Sequence, residues 1–243
     1  SLYEADVSGL PIPRLPKALR KEMTRLLDEA CDLRVRANRL LDEAERDVQR
    51  VCYLPDLKDL QKRGVLRAGD GPLVFQQNAA ERWRSGCTYG ELRLDATYHH
   101  PLALALAEYI LAQSNGTTLG EVIQGVRNST LRKRIYVDET ELGVPLMGGK
   151  QMIQWRPRGL NYLSRALTRN IDTETVEDGW TLVSSGGTLG RCMYVHRNYS
   201  RWALSQDVMR VIPDGRSLLP GFLYAFLASP YGQIQIRQRA YGS

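Results

Sequence analysis

A long coiled-coil helix followed by an α+β domain of short strands and helices is the fold this sequence predicts. Three observations carry that reading. Apolar residues recur in strict heptad alternation early in the chain, the apolar period switches to two in the second half, and Gly, Asn, Asp and Pro punctuate that half every few residues.

The lead-in to the helix is Leu10-Pro11-Ile12-Pro13-Arg14-Leu15-Pro16, where proline fixes φ and keeps the preceding residue extended. Beyond Pro16 the apolar positions are Leu19, Met23, Leu26, Ala30, Leu33, Ala37, Leu40 and Ala44, in steps alternating between four and three. That is a coiled-coil seam, narrower than the 3.6-residue stripe of a core-facing helix. Leu19, Met23, Leu26, Leu33 and Leu40 are its expected interface residues, and the interspersed alanines suit close packing against one partner helix. At 1.5 Å per residue, roughly 33 residues make a rod of about 50 Å. The expected division is residues 1–52 for the proline-rich lead-in and spacer helix, and 53–243 for one globular domain.

After the rod, residues 53–101 are broken by Pro55, Gly64, Gly69, Gly71 and Pro72. Asp56–Leu60 reads as a short helix, and Leu92–Asp95 as the opening of a strand. Residues 101–113 form a helix with Pro101 at its start and Asn115-Gly116 as its stop. Thr117 or Thr118 caps a second short helix through Val122 and Ile123. Strands follow at Arg134–Val137, Val144–Met147, Thr181–Ser184, Arg191–Val195 and Val208–Ile212. Two helices close the domain, Leu219–Leu227 and Tyr231–Arg239, each entered through a proline.

Composition narrows the function. The longest apolar run, Pro101–Ala112, is too short to span a membrane and contains Glu108. The chain opens Ser1-Leu2-Tyr3-Glu4 with neither Met nor a signal-peptide pattern, as a trimmed or truncated product would. Cys31, Cys52, Cys87 and Cys192 share no CxxC spacing, so a reduced, cytoplasmic setting is expected. Of the net charge of +6, residues 1–52 contribute nothing, with ten basic and ten acidic side chains. The excess lies in residues 53–243 and is concentrated at Arg127, Arg132, Lys133, Arg134, Lys150, Arg156, Arg158, Arg165 and Arg169, opposed by Asp138, Glu139 and Glu141. Tyr136, Trp155 and Tyr162 are interleaved with them. This is the pattern of a polyanion-binding surface, and equally of a solvated basic face.

Patterns for catalysis fail on spacing. Gly143–Gln151 imitates a phosphate loop, but Lys150 comes one place late and Gln151 stands where a metal-binding Ser or Thr is needed. Gly186-Gly187-Thr188-Leu189-Gly190 lacks the dinucleotide spacing and lies between strands. His99, His100 and His196 have no metal-ligand context and read as surface or capping residues. No catalytic or metal-binding residue is assigned.

Three polar loops stand out instead. Gly148-Gly149-Lys150-Gln151 offers free backbone amides, a cation and a carboxamide that can pair with adenine. Ser184–Arg191 is loosened by glycine enough to approach a phosphate, with Thr188 in the turn and Arg191 at its end. Ser205-Gln206-Asp207 places three hydrogen-bonding groups in a row. The nucleic-acid contact candidates are Lys150, Gln151, Thr188, Arg191, Ser205 and Gln206, with Arg156 and Arg158 expected on phosphates. The plainer alternative is that the glycines only make hairpins and the polar groups only cap them.

In combination, several segments resemble the DNA-specificity subunits of type I restriction–modification systems. They are the Leu10–Pro16 lead-in to a heptad helix, Arg93–Tyr98, Gly143–Leu146, Ser185–Arg191, Leu204–Val208, and Tyr224–Gln233 with the ending Tyr241-Gly242-Ser243. The resemblance runs from about Leu10 to Ser243. It implies a non-catalytic target-recognition domain reading one half of a bipartite sequence in double-stranded DNA. It also implies a coiled coil that spaces two such domains and docks adenine-methyltransferase and restriction (motor) subunits. S-adenosylmethionine, ATP and Mg would then belong to those partners, and this chain would hold no cofactor. The usual subunit has two recognition domains and two conserved helices. This chain shows one of each, and Ser1–Leu10 reads like the closing edge of a preceding domain, so self-association through the coiled coil is a second expectation. A reading from another class also stands: a coiled-coil scaffold of a different DNA-defence or repair assembly, gripping DNA by its phosphates without sequence readout.

Overall fold

A computed structural model describes residues 7–11, 13–61, 65–67, 74–75, 95–131, 133–138 and 142–240. By its internal contacts the chain separates into two units, Ser1–Ala44 and Glu45–Ser243.

The first unit is helical. Helix α1 (Lys17–Val51) starts directly after Pro16, whose carbonyl accepts from the Arg20 amide at 3.1 Å. Its apolar seam lies open: Leu19, Met23, Leu26, Leu33 and Leu40 are 47–59% exposed. Leu27 and Leu41 are exposed beside them and widen the stripe. On the polar side Arg25 bonds Glu22 at 2.7 Å and Glu29 at 3.0 Å, exposed pairs that water and salt screen.

The last turns of α1, Glu45–Val51, belong to the second unit, where Val48 is buried. The helix ends in a Schellman arrangement. Tyr53 takes a left-handed φ of 50°, and the Leu54 amide reaches back to the Gln49 carbonyl at 2.9 Å. That position favours glycine because a side chain crowds the backbone there. A buried Leu54 and then Pro55 keep the chain from continuing as helix.

In the second unit α2 (Leu57–Gln61) packs against α3 (Pro101–Leu111) through buried Leu60, Leu102, Ala103 and Leu106. A small hairpin pairs β1 (Val65–Arg67) with β2 (Val74–Phe75). The expected strand opening at Leu92–Asp95 lies outside the described residues but for Asp95. The helix expected through Val122 and Ile123 is a 3₁₀ turn, Leu119–Glu121, capped from Thr118. The Glu121 carboxylate accepts from the Thr117 hydroxyl and the Thr118 amide and hydroxyl, which hold its pKa down to about 2. Ile123 instead opens a strand, β3 (Ile123–Asn128), because its β-branched neighbours gain a ladder by pairing with a strand some eighty residues later.

The remaining strands are β4 (Tyr136–Val137), β5 (Gly143–Met147), β6 (Asn161–Ser164), β7 (Thr181–Ser184), β8 (Cys192–Tyr194), β9 (Ala203–Leu204) and β10 (Val208–Pro213). They form two four-stranded sheets, β3-β10-β7-β8 and β4-β6-β5-β9, antiparallel throughout except for the parallel β5–β9 pair. A four-residue helix α4 (Gly149–Met152) follows β5, and α5 (Pro220–Ala228) and α6 (Pro230–Gln238) close the chain. The fold is α+β, as the sequence predicts.

Strand β7 explains the layering, since it is buried on both faces. Leu182 joins Met147, Met152, Val176, Val195, Leu204 and Val208 in a core between the sheets. Val183 points the other way, with Val211, Leu223 and Leu227 under the closing helices. A third cluster, Val144, Leu146, Leu163, Ile171 and Ala203, fills the second sheet.

One charged pair is sealed inside. Arg210 of β10 bonds Glu174 at 3.2 Å with both side chains 4% exposed, and it also donates to the Thr173 and Asn128 carbonyls. Glu174 further accepts from the Thr130 amide and hydroxyl.

Two outcomes follow. Arg210→Met should lower unfolding stability by about 3–5 kcal/mol, because it strands a buried carboxylate, and adding Glu174→Gln should recover much of that loss. The midpoint of urea denaturation reads both. Asp214, just past β10, accepts from the Ser217 hydroxyl and from the Arg216, Ser217 and Leu218 amides, and these bonds, the hydroxyl's first, hold its pKa at about 2. A lowered carboxylate stabilises above its unfolded value of about 4 and loses that effect as pH falls through its folded one. Asp214→Asn should therefore lower Tm at pH 7 and make progressively less difference as pH falls from about 4 towards 2.

Candidate nucleic-acid interface

Strand pairing places the three polar loops at one corner of the second unit. Strands β7 and β10 are antiparallel neighbours with Ser184 opposite Val208, so the exit of one adjoins the start of the other. Strand β9 runs parallel to β5, with Leu204 opposite Met147, and the chain then crosses from the second sheet to the first in three residues, Ser205-Gln206-Asp207. The loops after β5, after β7 and after β9 thus meet where the sheets join.

The contacts are close. The Ser205 amide donates to the Met147 carbonyl at 2.9 Å, and the Ser185 amide to the Asp207 carbonyl at 2.8 Å. A β-carbon on Gly148 would lie 3.5 Å from the Ser205 hydroxyl, one on Gly186 3.2 Å from the Asp207 carboxylate, and one on Gly149 3.9 Å from the Gly186 carbonyl. Of these, only the Gly186 approach is tighter than a side chain would ordinarily make; the other two are ordinary van der Waals separations.

The eight candidates divide by position. Lys150, Arg156, Arg158, Thr188, Arg191 and Gln206 are exposed. Ile153 and Trp155 are exposed as well, on the segment that carries Arg156 and Arg158. Gln151 is half-buried and engaged within its own loop, accepting from the Gly148 amide at 3.2 Å and donating to the Gly159 carbonyl at 3.4 Å. Ser205 is 7% exposed and its hydroxyl has no hydrogen-bond partner among the described residues. It lies beneath the corner, while its neighbour Gln206 lies on the surface.

Ser184 is the internal pin of its loop. Its buried hydroxyl accepts from the Arg191 amide at 2.9 Å and donates to the Thr188 carbonyl at 2.5 Å. The Gly190 amide returns to the Ser184 carbonyl at 2.9 Å, and Gly187 and Gly190 take left-handed φ values of 66° and 80°. Sequence reasoning treats Ser184 as a strand end and the first residue of the glycine loop, without this pinning role. A serine closing a strand ahead of a glycine run is the one local signal of this role.

Other basic residues of the stretch are exposed or half-buried: Arg127, Lys133, Arg134 and Arg169, with Arg165 paired to Asp172 at 2.7 Å. Arg132, Glu139 and Glu141 lie outside the described residues. His100 caps α3 by accepting from the Leu102 amide, and His196 does the same for the Asn198 amide, as expected of capping histidines. Among the described residues no group of three or more His, Cys, Asp or Glu is placed to hold a metal ion, and no helix is long and apolar enough to cross a membrane. Cys31, Cys52 and Cys192 are free thiols, and burial, with a smaller push from the Glu45 charge, raises Cys192 to about 12.

No protein-family profile matches the chain, and no curated protein does. Among solved structures it is similar to the crystal structure of the HsdS subunit from Thermoanaerobacter tengcongensis, at 13% identity and a TM-score of 0.39. The match covers 97% of this chain and 46% of that one, so the chain spans less than half the length of the subunit it is compared with.

Proposed function

We propose that residues 53–243 form a sequence-reading, double-stranded-DNA-binding domain and residues 1–52 a coiled-coil spacer, together a non-catalytic specificity component of a type I restriction–modification complex. The observation that carries this reading is the corner where three polar loops converge, two of them rich in glycine, presenting Thr188, Arg191, Lys150 and Gln206 to solvent. Short, hydrogen-bonding side chains on tightly packed loops suit base edges. Arginines on an adjoining exposed segment, Arg156 and Arg158, suit phosphates. Gln151 and Ser205 serve as supports: one closes its own loop, the other lies under the turn that carries Gln206.

The open heptad seam is the second element of the proposal. Five exposed large apolar residues at a/d spacing ask for a partner helix, either the second conserved helix of such a subunit or the same helix of a second copy. Methyltransferase and restriction subunits would dock on the assembled spacer and bring S-adenosylmethionine, ATP and Mg with them. The competing phosphate-only scaffold draws its support from the basic residues alone.

Selection from a random DNA library separates the two readings: enrichment of a short motif supports sequence reading, and salt-sensitive binding with no motif supports the scaffold. In the first case Gln206→Ala should relax one base position at a cost of roughly 1–3 kcal/mol, while Arg158→Ala should weaken all sequences alike and lower the salt slope by about one. Inserting seven residues into the rod should lengthen the preferred spacer between half-sites and leave each half-site unchanged.

For the seam, Leu33→Asp removes a burial worth about 2 kcal/mol and places a charge where the partner packs. Light scattering should show association weakened at least about tenfold. Because Leu33 is 59% exposed in the single chain, thermal unfolding of the globular unit should stay unchanged. Undiminished association would sink the coiled-coil reading.

A further inference from the structure

Helix α6 reaches three separate parts of the second unit through side chains that donate to backbone carbonyls. The Tyr231 hydroxyl donates to Pro55 at 2.8 Å, and Gln238 Nε2 to Tyr98 at 2.8 Å. Gln233 Nε2 donates to two carbonyls, Gly190 at 2.8 Å and Leu227 at 2.8 Å, with Cys192 Sγ at 3.5 Å. Both hydrogens of one carboxamide are thus spent on backbone. A bond to backbone fixes the path of the chain regardless of the side chain carried there.

The Gly190 contact differs from the other two because the loop is also pressed onto the helix. A β-carbon on Gly190 would lie 3.2 Å from Ile236 Cγ2 and 3.3 Å from Gln233 Oε1, and φ at Gly190 is 80°. Only glycine fits that approach without strain. From Gly190 the order passes inward: its amide holds the Ser184 carbonyl, and the Ser184 hydroxyl holds Thr188 and Arg191. Gly190 and Ser184 are both buried, so these bonds face little competition from water.

We infer that Gln233 is a positioning residue: it latches loop 184–191 onto α6 in the orientation that presents Thr188 and Arg191. Through Tyr231 and Pro55, the same helix ties that orientation to the segment just past the end of α1. The latch stands on geometry alone; its consequence for DNA reading rests on the function proposed above.

The test uses the full chain and two variants that each remove buried hydrogen bonds from the same helix. Gln233→Met keeps the side-chain length and deletes both donors at the loop; Gln238→Leu deletes the donor to Tyr98, away from the loop. Hydrogen exchange followed by mass spectrometry should show residues 184–191 exchanging about tenfold faster in Gln233→Met, with residues 143–152 unchanged and Gln238→Leu like wild type in both segments. Equal effects of the two variants on residues 184–191 would overturn the latch and leave Gln233 a general packing residue. Should Gln233→Met fail to fold, Gln233→Glu is read in the same way. In the wild type, moreover, the Gly190 and Arg191 amides must be protected to the level of β7; exchange at the rate of an open loop also overturns it. Library selection is run in parallel. A motif retained by Gln238→Leu and relaxed at some base positions by Gln233→Met supports the full inference. A motif left intact by Gln233→Met, despite faster loop exchange, overturns the claim that the latch governs reading. No motif with any protein refutes the DNA-reading proposal, while the exchange data still decide the latch.

Discussion

The pairing of Arg210 with Glu174 is the constraint on which the arrangement of the two sheets depends. Arg210 lies mid-strand in the first sheet, and its guanidinium reaches the end of β3 and the 3₁₀ turn at Ile171–Glu174. That turn contributes Ile171 to the core of the second sheet, and Thr175 just beyond it bridges to Ala203 on β9. Apolar packing alone tolerates sliding, because hydrophobic contact has no direction. A buried fork donating to two carbonyls and a carboxylate has one geometry, and its alternatives leave charge unpaired in a dry interior. The register between the sheets is fixed there.

With that register fixed, the corner follows. Crossing from β9 to β10 in three residues is possible only if the sheets are held at one separation and angle. The same closeness brings the loops after β5 and β7 alongside the crossing. Gly186 occupies a place where a side chain would press on the Asp207 carboxylate, and one on Gly148 would press on the Gln151 carboxamide of its own loop. The surface groups Lys150, Thr188, Arg191 and Gln206 are thereby carried on loops that backbone hydrogen bonds join to one another.

Much of this was legible in the sequence, and what was not has a common cause. The long helix was clear because a heptad pattern is local and repeats many times; its start after Pro16 follows from proline chemistry. Strands β5, β7 and β10 were visible because each carries several β-branched or apolar residues between breakers. Strand β9 was not, since two residues bear no period and its parallel partner lies over fifty residues earlier. Ile123 reads as helical because Thr117 and Thr118 are good caps; the Thr118 cap is real, but it serves a single 3₁₀ turn before long-range pairing takes over. The three loops stand out in the sequence, two by their glycines and all by their polar groups, and strand pairing brings them to one corner. Which of their side chains face water was not readable: Ser205 is buried by the parallel pairing of its strand, and Gln151 is captured by Gly159, eight residues on. The hold of Gln233 on Gly190 joins residues forty-three apart and leaves no local trace.

The left-handed turn at Tyr53 has a consequence for how the long helix tolerates change. Because backbone bonds at Gln49 and Leu54 terminate it, the helix has a fixed origin at its C-terminal end. An insertion within the stripe then turns one part of it against the other: one added residue puts the two parts about 100° out of phase, whereas seven return them to within about 20°. Length variation in this segment is therefore quantised. A gain or loss in sevens preserves the phase of the stripe, and most other numbers turn it away from whatever it faces.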